Sequence, residues 1–428
     1  MQSKKILLFL PNLKPGTGGF ASAVELLDTI SISGNEACLV LTNYDPLYHR
    51  RYRQFISQNP KIKFRFQYVP GYFELLQSYG NKSSLKVLFL DNLINLLKKP
   101  TKRQLRTLVN SVVGIFNKHN LNIFDGIVIQ ADIIIKSMTM SGFELSLIRK
   151  RYNAIIIQNH AGSPHAYENY WLNEDQMPLN SDPSLSLYVN FCLAFDKILF
   201  QAQDQAIECA RRHPALSSKV ITINPTCDEE KIIAAKEDKN PYNSEFVNLI
   251  NVGTIQPRKA QHLTIESFQF ILKSHPKTRL HFVGGWERPY RDYVKELKRQ
   301  IFELNMSENI FIHGHRDDYL RFMAHADILI QTSDAEGVSR VLREAMLIKL
   351  PIISYSISGT NKILEHQKEA LLTKPKDTKA MANAILDLLI NSKKRLAIAD
   401  AAYKRYQLYH SKTIFTKNIK NMIEEITT

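Results

Sequence analysis

Short apolar runs alternate with longer segments of helical spacing from Ile6 almost to the last residues of the chain. This alternation predicts parallel sheets wound with helices. The first series of strands is expected at Ile6–Leu10, Cys38–Thr42, Phe64–Val69, Gly126–Gln130, Ala154–Gln158, Lys197–Phe200 and Val220–Ile223. A charged, polar stretch follows from Glu229 to Pro241, and the pattern then restarts with NLINVG, RLHFVGG, NIFIHG, ILIQTS and PIISYS. The expected fold class is α/β, with two Rossmann-like parallel-sheet domains facing a central cleft. Residues 1–224 form the first domain, 225–243 the linker, 244–402 the second domain, and 403–428 a basic amphipathic helix.

The second series holds the densest chemistry. Ile328–Ile330 predicts a strand, Gln331–Asp334 a turn, and Val341, Leu342, Ala345 and Met346 a helix, which Pro351 is expected to stop before a strand at Ile352–Tyr355. Glu336 therefore lies at a strand's carboxyl end, where open α/β sheets keep their ligands. On one helix, Glu336 and Glu344 would stand about 12 Å apart and on different faces. They converge only if Glu336 belongs to the loop, which Gly337 permits. The backbone N–H groups of Gly337, Val338 and Ser339, running into Arg340, then suit phosphate oxygens.

A second strand end points the same way. Gly253 heads a turn that carries Arg258 and Lys259, a fork and a point charge fit for a diphosphate. The turn at Gly284-Gly285 would let a ligand approach the backbone. In the first series, the glycine-rich turn ending in Gly18 and Gly19 opens a helix and can receive an anion, and His160 follows a buried strand.

Composition narrows the partners. With 44% hydrophobic and 23% charged residues the chain is globular. Its formal charge of +15, concentrated at 49–53, 61–65 and 98–106, calls for an anionic partner. No aromatic-basic recognition motif accompanies these clusters, so nucleic acid is the weakest such partner. The apolar segment Leu85–Leu97, followed by Lys98-Lys99, fits an anionic membrane surface or a helix packed on the sheet. The run at Ile6–Leu10 is too short for a signal peptide, and no run approaches the ~18 residues of a membrane span. Four separated cysteines without a CxxC suggest neither a zinc site nor disulfides, as in a reducing cytoplasm.

These motifs carry a family resemblance. GTIQPRKAQHLTIESF, LHFVGG, NIFIHGH and DAEGVSRVLREAMLIKLPIIS, with its E-x7-E spacing, cover residues 250–360. They resemble the nucleotide-sugar-binding domain of retaining glycosyltransferases of family 4, which have the two-Rossmann GT-B architecture. The first half is similar through Gly16–Gly19, His160 and the NPTCD at 224–228. The resemblance implies transfer of a sugar from a nucleotide-sugar donor to a glycan, lipid-linked or protein acceptor. Glu336 and His160 would be the catalytic residues, Glu336 on the donor sugar's hydroxyls, and Glu344 would take the ribose hydroxyls. Arg258 and Lys259, with Gly253 and the Gly337, Val338 and Ser339 backbone, would hold the diphosphate. Gly18, Gly19 and His160 would reach the donor from the other domain, and the last helix would cross back onto it. No cofactor and no metal is expected, and no D-x-D occurs in the sequence. The expected location is the cytoplasm, with peripheral attachment at the membrane's inner face. Thr254 stands where many members have an arginine and Lys362 where relatives often have a glutamate. The alternative is a non-catalytic partner subunit or a sugar-nucleotide-binding protein with a degraded site.

Overall fold

The computed structural model describes residues 3–10, 18–41, 63–66, 132–137, 154–160 and 184–427. The expected strand at 126–130, the apolar segment 85–97 and the basic clusters at 49–53 and 98–106 lie outside those residues. Two parallel α/β sheets organise the chain. The first contains β1 (Lys5–Leu10), β2 (Glu36–Leu41), β3 (Lys63–Phe66), β4 (Ile133–Ser137), β5 (Ile155–His160), β6 (Lys197–Phe200) and β7 (Val220–Thr222), in the order β3-β2-β1-β4-β5-β6-β7. Ile133, Ile134 and Ile135, not assigned to a strand in the sequence reading, pair β4 with both β1 and β5. Helix α1 (Gly18–Ile32) follows β1 and buries Ala23, Leu26, Leu27 and Ile30, one stripe of a helical face. Later in the chain come α2 (Leu187–Leu193), capped by the Ser186 hydroxyl accepting from Val189 N–H, and α3 (Gln203–Arg212).

The second sheet contains β8 (Val247–Val252), β9 (Thr278–Val283), β10 (Ile310–Ile312), β11 (Ile328–Gln331), β12 (Ile352–Tyr355) and β13 (Leu371–Thr373). Their order is β10-β9-β8-β11-β12-β13, and every pairing is parallel. With β8 counted as first, this is the 3-2-1-4-5-6 order of a dinucleotide-type fold. The helices are α4 (Glu229–Ala234), α5 (Gln261–Leu272), α6 (Arg291–Glu303), α7 (Tyr319–Ala324), α8 (Arg340–Ile348), α9 (Ser358–Asn361), α10 (Thr378–Ile390), α11 (Ser392–Tyr409) and α12 (Lys412–Thr427). Both faces of the sheet are covered, which explains the unbroken apolar runs. Leu249, Ile328 and Ile330 pack with Phe268 of α5 and Ile385 of α10, whereas Ile250 and Leu329 pack with Leu342 and Met346 of α8 and Tyr406 of α11.

The chain separates into two compact units. One comprises the described residues up to Leu199 with Ala215–Val220, the other Phe200–Pro214 and Ile221 onward. Within the second unit, the segment around 225–230 is held by the last two helices. Tyr406 Oη donates to Glu229 Oε1 at 3.1 Å and lies 3.1 Å from Cys227 Sγ. His410 Nδ1 donates to the Pro225 carbonyl at 3.0 Å, and Lys412 N–H donates to Glu229 Oε1 at 2.7 Å.

Two local expectations are corrected. Helix α8 stops at Ile348 because Lys349 turns left-handed with φ 59°, before Pro351 is reached. The missing side chain at Gly284 accommodates protein and not ligand: a Cβ there would stand 1.9 Å from the Gly253 carbonyl oxygen. All four cysteines are buried and free of disulfides. Among the described residues no helix is long and apolar enough to cross a membrane.

Candidate functional site

The strand order of the second sheet reverses between β8 and β11, the position where loops leaving neighbouring strands part and open a crevice. Both loops singled out in the sequence leave the sheet at this point. The β8 loop passes Gly253 and an exposed Thr254, then enters a single tight turn at Pro257–Lys259. Ala260, left-handed at φ 48°, redirects the chain into α5. The β11 loop runs from Thr332 to Ser339 and enters α8.

Backbone and side-chain hydrogen bonds tie the two loops together. Thr332 Oγ1 donates to the Lys259 or Ala260 carbonyl, both at 3.1 Å, and lies 2.8 Å from the Thr264 hydroxyl. Asp334 N–H donates to the Arg258 carbonyl at 2.9 Å, and the Arg258 guanidinium donates to the Ala335 carbonyl. Below them, the buried Asn251 side chain of β8 donates to the Ile330 carbonyl of β11 at 2.9 Å.

This lacing brings Arg258, Lys259 and Glu336 into one cluster. The Glu336 carboxylate, 10% exposed, is ion-paired with Lys259, 16% exposed, and lies 3.8 Å from the Arg258 guanidinium. Gln331 Nε2 donates to Glu336 Oε1 at 3.2 Å and to Ser339 Oγ at 3.3 Å. Ser339 begins α8 with an extended backbone, yet its side chain makes no capping bond. The Ser339 side chain therefore leaves the N–H groups of the helix start to other acceptors, a feature suited to an anion. Glu336 is in the loop, as its geometric argument requires, and Gly337 and Val338 follow it there.

Glu344 belongs to a second, deeper cluster. It is 0% exposed, and its Oε1 accepts from Arg340 Nε and from Tyr319 Oη, each at 2.7 Å. Burial and the adjacent Glu344 charge push the Tyr319 phenol well above its ordinary range, so it stays a hydrogen-bond donor. Arg343, the residue preceding Glu344, is almost wholly buried and donates to the Val338 carbonyl at 3.2 Å. Gly359 of α9 presses on the same loop, because a Cβ there would stand 2.3 Å from both the Glu336 and Gly337 carbonyl oxygens.

Sequence reasoning named Arg258, Lys259, Glu336 and Glu344, and Arg340 for its backbone N–H alone, but missed Gly359 and the side chains of Tyr319, Gln331, Arg340 and Arg343. The Arg340–Glu344 spacing of one helical turn was a readable signal. Tyr319 and Gly359 carry none, since their contacts depend on strand order. Gly18 and Gly19 open α1 and His160 ends β5, all in the first unit. Their side-chain surroundings lie outside the described residues. Lys362 is largely buried 4.0 Å from Asp204, and desolvation lowers its ammonium pKa.

Residues 233–405 match the family model described as glycosyl transferases group 1. An uncharacterized glycosyltransferase of Methanocaldococcus jannaschii is 28% identical over 130 residues, which are 30% of this chain and 30% of that protein. The chain thus spans under a third of that relative's length. A D-inositol 3-phosphate glycosyltransferase of Corynebacterium urealyticum is 21% identical over 72% of this chain and 73% of its own. Among solved structures, Anabaena HepE in complex with UDP and glucose superposes with a TM-score of 0.67 at 18% identity, covering 98% of this chain and 99% of its own. That likeness extends the shared fold to both halves of the chain.

Proposed function

We propose that this chain is a glycosyltransferase that draws a sugar from a nucleotide-sugar donor seated at the carboxyl ends of β8 and β11. One observation carries the reading: two cations and the Glu336 carboxylate converge where the strand order reverses, with Glu344 buried on the helix that follows, inside the segment that matches the group 1 model. The relatives' glycosyltransferase names and the UDP in HepE support the donor class.

In this reading the leaving nucleotide diphosphate gains charge as the bond to the sugar breaks. Lys259 and Arg258, with the uncapped N–H groups at the start of α8, are held ready for that charge before the reaction begins. Donor binding replaces the Lys259–Glu336 pair: the ammonium turns to the phosphates, and the carboxylate to the sugar's hydroxyls. Glu344 takes the ribose. His160, Gly18 and Gly19 act from the first domain, which closes by a hinge at 225–243, and the last helix crosses back onto that domain. The reaction is retaining and metal-independent, of the family 4 type, and the acceptor is a glycan, a lipid-linked sugar or a protein. A cytoplasmic protein attached peripherally to an anionic membrane face fits the basic first half.

The alternative, a non-catalytic subunit, draws on Thr254, which is exposed and brings no charge to the β8 loop. Arg258 already supplies that charge, so the catalytic reading is preferred. Donor-dependent release of nucleoside diphosphate tests it. Glu336→Ala and Lys259→Ala should each lower turnover by about 100-fold or more, with Glu344→Ala acting mainly on donor KM and chelator leaving the wild type unchanged. Near wild-type kinetics in all three variants would remove the proposal, and loss of activity with chelator would remove metal independence.

A further inference from the structure

Three side chains reach the Glu336 carboxylate, and they differ in kind. Lys259 is ion-paired with Oε1, and the Arg258 guanidinium lies 3.8 Å from Oε2. The third is the neutral amide of Gln331, whose Nε2 donates to Oε1 at 3.2 Å. Gln331 is 5% exposed and ends β11, where its backbone is in register with Ser354 of β12. Its other amide hydrogen goes to Ser339 Oγ at 3.3 Å, at the start of α8. Among the described residues none donates to Gln331 Oε1. The two acceptors alone therefore set the amide's orientation, because a reversed amide would press its carbonyl oxygen against a carboxylate. One buried side chain thus ties the Glu336 loop to a strand and to a helix start.

The two cations cannot hold Glu336 through the whole reaction. In the donor-site reading, on which this inference rests, both turn to the diphosphate as its charge grows. The Gln331 amide carries no charge that phosphate could draw away, and β11 and Ser339 keep it where it is. We propose that Gln331 is a positioning residue that keeps the Glu336 carboxylate aimed at the donor sugar once Lys259 and Arg258 have left it. Without the amide, the carboxylate would lose its last fixed donor at the moment when its direction matters most. The effect of Gln331 then falls on turnover of a nucleotide sugar. Affinity for a nucleoside diphosphate, which offers Glu336 no sugar, does not depend on it.

Calorimetry with UDP, GDP and ADP first identifies which nucleoside diphosphate binds the full chain; its release from the glucose, galactose and N-acetylglucosamine conjugates then gives turnover. Gln331→Met keeps most of the side chain's volume and removes the amide. It should bind the nucleoside diphosphate within about threefold of the wild type and lower kcat about tenfold or more, as expected for one hydrogen bond to a charged group. In Gln331→Glu the introduced carboxyl can donate to Glu336 only while the two share a proton, and their like charges favour that protonated pair. Turnover of Gln331→Glu relative to the wild type should therefore rise as the pH falls from about 8 to about 6. Wild-type turnover in Gln331→Met overturns the proposal. So does a loss of nucleoside diphosphate affinity that matches the loss of turnover, which would make the amide merely structural. If Gln331→Met fails to fold, a flat relative pH profile in Gln331→Glu overturns it; these outcomes leave the donor site standing. Binding of no nucleoside diphosphate by the wild type overturns both.

Discussion

Gly359 has no side chain with which to touch a substrate, yet it helps to fix where Glu336 lies. A Cβ at this position would collide with two backbone oxygens of the Glu336 loop, and neither can swing aside as a flexible side chain could. Gly359→Ala should therefore lower the thermal midpoint, with a cost of about 1–3 kcal/mol, and weaken nucleotide binding. An unchanged midpoint in a melting experiment would show that the loop tolerates displacement. The residues legible in the sequence were those whose role follows from a local pattern: Arg258, Lys259 and Glu336 each come shortly after an apolar run. Gly359 and Tyr319 were illegible because each meets the site through another crossover of the sheet. The glycine at 284 was readable as special but not for its reason, since a glycine spared for a ligand and one spared for a neighbouring carbonyl look alike in sequence.

Among the elements, the strands buried on both faces were the easiest to read: β8, β9 and β11 are buried almost throughout, and each carries apolar residues at its centre or end that stand out from the helical segments around it. Strand β13 was not assigned from the sequence, although β7 and β10, equally short, were. Helix ends depended on backbone conformation: a left-handed lysine ended α8 where proline was expected to. Helix α11 contributes most through one side chain. Tyr406 is fully buried, with its hydroxyl among Thr226, Cys227 and Glu229. Tyr406→Phe leaves the ring and removes that hydroxyl, so the lost bonds should cost about 1–3 kcal/mol. The urea midpoint should fall accordingly with little change in slope. A midpoint equal to wild type would mean that these contacts contribute nothing net.

For the molecule as a whole, the restart of the strand pattern after residue 241 correctly announced a second sheet. Buried histidines give the second unit an acid sensitivity. Burial lowers His281, beside His313 and Arg279, from 6.5 to about 3, and it lowers His410, near Arg343 and Arg405, to about 3 as well. Between pH 6.5 and 3 the unfolded chain binds more protons at these positions than the folded one. Stability should therefore decline as the pH falls through that window, by up to ~1.4 kcal/mol per pH unit for each group. Denaturation midpoints measured at several pH values check this, and a His410→Gln variant should show a shallower decline. The hold of Tyr406 on Cys227 has a further consequence for biosynthesis. The partners stand 179 positions apart. At ~5–20 residues per second, the nascent chain waits roughly 9–36 s between making one and the other. During that interval the face of the sheet that α11 will cover is open to chaperones, and a ribosome paused within it would present an incomplete core.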